Sequence, residues 1–68
     1  MALNPYESKI LTVLLKSNRF LTTAEIAGKA KISWNTAEHY LNIMEKKGWV
    51  KSEGNVQKYW KAILRKRR

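Results

Sequence analysis

Apolar residues recur at helical spacing in three stretches of the chain, and a different period follows them. In the first stretch Tyr6, Ile10, Val13 and Leu14 fall three and four apart, which predicts the inward stripe of a helix ending near Ser17. Leu11 and Leu15 lie at the edge of that stripe, either as further core or as part of a contact with a second copy. In the second stretch Ile26, Ala27 and Ala30 predict a short helix whose small inner face lets it lie close to a neighbour. In the third, Ala37, Leu41 and Met44, with Tyr40 beside them, predict a longer helix over about 34–47. The other side of that helix carries Asn35, Glu38, His39 and Asn42, with Trp34 at its tip. That side is rich in hydrogen-bonding groups and nearly uncharged.

The residues between these stripes are punctuation. Asn4-Pro5-Tyr6-Glu7 opens the first helix: Asn4 caps it, Pro5 takes the first position, and Glu7 closes a capping box. Asn18 is a plausible end cap. Thr22 followed by Glu25 is a second capping box, and Ser33 is a cap for the third helix. Gly28 weakens the second helix and is expected to face solvent or a close backbone neighbour. Gly48 suits the left-handed position that ends a helix, with Lys46 and Lys47 in the turn before it. Arg19–Thr22 is a short connector that reads as one rung of a strand at most.

After Gly48 the chain turns β-prone. Trp49–Ser52 and Val56–Lys61 flank Glu53-Gly54-Asn55 and predict a hairpin. Its alternation is ragged: Trp49, Val50, Tyr59 and Trp60 put aromatics on both faces, so at least one must be partly exposed. Ala62-Ile63-Leu64 is an apolar stub, and residues 65–68 are a basic tail behind a single domain of residues 1–64.

A short helix, a turn of about three residues and a longer helix form the helix-turn-helix pattern. In that pattern the second helix of the pair enters the major groove and the first crosses the backbone. The start of the first, at Thr22 and Thr23, is then placed to hold a phosphate, with hydroxyls as extra donors. The hairpin is a wing beside it, charged by Lys51, Lys58 and Lys61.

Charge sharpens this reading. The net charge is +9, with fourteen Lys and Arg against five Glu. Residues 1–45 carry a net of only +1, and residues 46–68 carry +8. Such asymmetry points to a polyanionic partner. There is no cysteine, so no disulfide or thiolate metal site, and one histidine alone fails the ligand count for a metal. No cofactor is called for. Nothing assembles a nucleophile, a base and oxyanion donors, so no enzyme is expected. No apolar run nears the length of a membrane span and no signal pattern opens the chain. A soluble, cytoplasmic and nucleoid-associated protein is expected.

At this point the sequence resembles the winged-helix family of DNA-binding domains, especially small prokaryotic and archaeal transcriptional regulators. The residues that carry the resemblance are Thr22-Thr23-Ala24-Glu25-Ile26-Ala27, Ile32-Ser33-Trp34-Asn35-Thr36-Ala37, Tyr40-Leu41 and Met44–Val50. Lys31 departs from the family, which often has glycine at that turn position. The resemblance implies an α+β fold, three helices followed by a two-stranded β-hairpin wing. It also implies that Trp34, Asn35, Thr36, Glu38, His39 and Asn42 face the bases.

The chemistry of those positions differs. Asn35 and Asn42 suit bidentate pairing with adenine, and His39 suits guanine or a phosphate. Glu38 accepts from cytosine N4, orients a neighbouring basic side chain, or is a surface charge that touches nothing. Trp34 either packs on a thymine methyl or sugar, or lids the core over Ile32. Lys46, the wing lysines and Arg65, Lys66, Arg67 and Arg68 are expected on phosphates. The expected function is sequence-specific binding of double-stranded DNA by a transcriptional regulator. A homodimer through the first helix or the C-terminal stub would lengthen the site. The alternatives are a winged-helix adaptor that docks a protein through exposed tryptophans, or a binder of single strands or RNA.

Overall fold

A computed structural model describes residues 4–63, so Met1–Leu3, Leu64 and the expected tail Arg65, Lys66, Arg67 and Arg68 lie outside the described residues. The order is α1 (Pro5–Ser17), β1 (Leu21–Thr22), α2 (Thr23–Ala30), α3 (Trp34–Lys46), β2 (Val50–Glu53) and β3 (Tyr59–Ala62). The three strands form one antiparallel sheet in the order β1-β3-β2.

Each helix starts where its caps require. Asn4 and Glu7 exchange side-chain and backbone hydrogen bonds at 3.0 and 3.3 Å. Thr22 and Glu25 do the same at 3.0 and 3.1 Å. The Thr22 backbone N–H aimed at the Glu25 carboxylate, helped by Arg19, holds that carboxyl below the usual carboxylate range. Ser33 Oγ accepts from the Thr36 N–H at 3.1 Å. At the end of α3, Gly48 takes φ 84°. There the Gly48 N–H reaches Glu45 O and the Trp49 N–H reaches Met44 O, both at 3.0 Å, which is the Schellman closure. Lys31 ends α2 in the same left-handed region at φ 61°, where glycine would sit without steric cost.

The stripes meet in one core. Ile10, Leu14, Ile26, Leu41, Met44 and Val50 are fully buried with Trp60 at their centre. Trp60 also donates its indole N–H to Thr23 Oγ1 at 2.9 Å, joining β3 to the start of α2. Glu7 is buried, and its carboxylate lies 3.5 Å from the Lys47 ammonium, tying the start of α1 to the end of α3. Ser52 Oγ donates to Glu45 Oε2 at 2.7 Å, which fixes β2 against α3.

Two expectations change. Tyr6 is not core: it is 42% exposed and stacks on Tyr40 at 5.3 Å between ring centroids. Ile10 and Leu14 supply the buried apolar side chains of α1, and Leu11 and Val13 pack against the same core from partial burial. The wing is not a free two-stranded hairpin, because Leu21 and Thr22 pair with Trp60 and Tyr59 and make a third strand. Of the stub, Ala62 continues β3 and the Ile63 N–H donates to Trp49 O at 2.9 Å, while Leu64 lies outside the described residues.

Gly28 is exposed, and a Cβ added there meets nothing within 4 Å. Gly28→Ala is therefore expected to stabilise the domain by about 0.5–1 kcal/mol, since it restricts the unfolded chain without a clash. A thermal melt of the two proteins checks the sign.

Candidate nucleic-acid interface

The outward face of α3 lies between two walls. On one side Asn35, Thr36, His39 and Tyr40 border a shallow hollow closed by Tyr6 from α1. His39 meets Tyr40 edge-on at 4.9 Å, so Tyr6, Tyr40 and His39 form a continuous aromatic run. On the other side Trp34 and Glu38 border a cleft completed by Thr23 and Ala24 of α2 and by the wing loop from Asn55 to Lys58. Trp60 forms part of its floor. Asn35 and His39 are exposed and four apart, so they stand one above the other on the helix. Asn42 follows one turn later and is half-buried. Trp34 is 48% exposed at the mouth of the cleft and does not lid the core.

Other expected residues have different surroundings. The Thr22 hydroxyl is committed to its capping box, and the Thr23 hydroxyl accepts the buried Trp60 N–H. Both hydroxyls thus carry a bond within the fold besides any contact to a phosphate. The start of α2 still offers the backbone amides of its first turn. Thr36 receives a hydrogen bond from Ser33 Oγ at 2.8 Å, so its hydroxyl belongs to the cap of α3.

The wing lysines divide. Lys58 lines the cleft beside Trp34 and holds its ammonium 5.4 Å from the Trp60 ring centre. Lys51 and Lys61 pair across β2 and β3 on the opposite, outer face, with ammonium groups 5.8 and 5.7 Å from the ring centre of Phe20. They do not join the cleft. Lys46 is exposed in the last turn of α3.

Sequence reasoning missed Tyr6 and the wing-loop residues Asn55, Val56 and Gln57. Val56 is fully exposed although it is apolar. The loop is shaped by Gly54 at φ 110°, where an added Cβ would overlap the Gln57 carbonyl. The Gly-Asn pair was the only signal for that turn, and no spacing rule tells which residue beyond it will reach α3. Among the described residues no group of His, Cys, Asp and Glu is placed to hold a metal, and no helix is long and apolar enough to cross a membrane.

The fold matches solved structures. It superposes on ZitR of Lactococcus lactis, determined in complex with DNA, with a TM-score of 0.76 and 24% identity over 93% of this chain. The match takes in 44% of ZitR, so the chain spans less than half the length of that protein. It also superposes on the DNA-binding TubR fragment from Clostridium botulinum, with a TM-score of 0.71 and 24% identity, covering 93% of this chain and 86% of that one. No curated protein sequence matches the chain significantly. The family model of the sugar-specific transcriptional regulator TrmB matches residues 1–65. With three helices, a winged sheet and nearly its whole length matched by that model, the chain belongs to the TrmB family of transcriptional regulators.

Proposed function

We propose that this chain is a transcriptional regulator that binds double-stranded DNA sequence-specifically, with α3 in the major groove. One observation carries the reading: a helix face with Asn35, His39, Glu38 and Trp34 stands between Tyr6 and the wing loop and is not packed against the core. Asn35 and His39 read base edges, and Asn42 reaches less far. Trp34 contacts a thymine methyl or sugar, and Glu38 accepts from cytosine or points at the wing. The first-turn amides of α2 and Lys58 of the wing hold phosphates on the side of the wing cleft, and Lys46 holds one at the end of α3. No catalytic step is assigned, in keeping with a regulator family. Such a family works inside the cell, and we place this member on cytoplasmic DNA.

The basic residues Arg65–Arg68 are proposed to bind phosphates. Removing Arg65–Arg68 is expected to weaken all duplexes alike. It should also flatten the dependence of affinity on salt by about 0.9 log units per log unit for each phosphate the tail neutralises. Binding measured across a salt series checks this, and an unchanged slope assigns the tail no role at the backbone. Leu15, 48% exposed on α1, is proposed as part of a homodimer contact, which would pair two recognition helices on a two-fold site. Sedimentation of the protein alone and on DNA tests it, and a monomer in both states removes it.

Selection of bound duplexes from a random pool is the direct test of the main reading. A recovered consensus supports it. A pool that stays random while single strands or protein partners bind better overturns it.

A further inference from the structure

Residues 1–45 hold five basic side chains, and all five line one open groove between α1 and α2. They are Lys9, Lys16, Arg19, Lys29 and Lys31, around a volume of about 800 Å³. No residue of α3 or of the wing borders this groove. The four acidic residues of the same segment hardly offset it. Glu7 is buried against Lys47, Glu38 lines the wing cleft and Glu45 serves Ser52. Only Glu25 reaches the groove's cations, at 3.9 Å from Arg19.

Some of this charge has a second task, since Lys16 and Lys29 sit in the last turns of their helices. Lys31 follows as the C-cap of α2, whereas Lys9, inside α1, has no such task. Lys31 occupies the left-handed turn position at φ 61°, so a long basic side chain is kept where glycine would be easier. We propose that this groove holds the phosphate backbone of a second segment of duplex DNA, so that one protein bridges two duplexes.

The shape favours an extended polyanion over a small ligand. Its lining is exposed or half-buried apart from Ala30, so it does not enclose a molecule from several sides. Lys9 and Lys16 lie on one helix, seven residues and about 10 Å apart. That span matches about two successive phosphates along one strand. The proposal rests on the duplex-binding reading above, and the two faces can be tested separately.

The test uses the full chain on an immobilised short duplex that carries a selected site. Once the protein saturates it, a short fluorescent duplex of unrelated sequence is added at several salt concentrations. Wild type is expected to retain the second duplex, and retention should fade with salt. The variant Lys9→Gln/Lys16→Gln/Lys29→Gln keeps good helix formers at exposed positions, and a melt checks its fold. It is expected to occupy the first duplex normally and to lose capture of the second about tenfold, with a shallower salt slope. Capture equal to wild type overturns the proposal, because self-association or the tail would then be the bridge. Failure to capture, with tighter binding when the first duplex is lengthened, also overturns it: the groove would then hold a flank of the same duplex. Failure to bind the first duplex at all strikes the duplex-binding reading instead.

Discussion

Trp60→Ala is expected to leave the domain largely unfolded at room temperature. Removing a fully buried tryptophan costs about 3–5 kcal/mol through reduced burial and the cavity left behind. A chain of 68 residues has only about 3–10 kcal/mol to lose. The indole also carries the hydrogen bond to Thr23, so its removal strands a buried hydroxyl. The consequence reaches the interface directly. Trp60 floors the cleft, sits next to Tyr59 at the base of the wing loop, and anchors the start of α2. Denaturant melts of Trp60→Phe, Thr23→Val and the double variant separate packing from the hydrogen bond. The two changes should be non-additive by about 1 kcal/mol, since the pair shares one bond. Full additivity would mean that the bond contributes nothing to stability.

Asn35→Ala and His39→Ala are each expected to weaken a selected site by about 1–3 kcal/mol while leaving random duplex nearly unaffected. Both side chains are exposed on α3 and make no hydrogen bond among the described residues that would be needed for folding. Phosphate contacts position a protein on DNA and base contacts specify, so truncating a base-reading side chain should show only where the sequence matters. Competition assays with specific and random duplexes give the ratio. Equal weakening on both would remove these residues from base reading.

Local chemistry made most of the fold readable. Asn4 with Glu7 and Thr22 with Glu25 announce helix starts because a capping box is satisfied within four residues. Gly48 marks its helix end, and the stripe of Ala37, Leu41 and Met44 marks the buried side of α3. What stayed hidden depends on residues far apart in the chain. Leu21 and Thr22 are too few to show a period, and they become a strand only because β3 arrives beside them. That the Thr23 hydroxyl accepts from Trp60, 37 residues later, has no local signal. Lys51 and Lys61 look like wing charges equal to Lys58, yet the pleat turns them to the far face beside Phe20. Tyr6 fits the α1 stripe by spacing, but it leans on Tyr40 at the edge of the interface. The five cations of the α1–α2 groove are spread over 23 positions in sequence, and no run of charge announced them.

Proton NMR of the protein on a selected duplex decides whether α3 reads base edges. Contacts are expected between the Asn35 and His39 side chains and major-groove base protons. Amide shifts should also appear at Thr23–Ala24 and Asn55–Lys58. If the α3 side chains show no contact to bases while shifts gather on the outer face around Phe20, Lys51 and Lys61, the assignment of α3 as the reading helix is wrong.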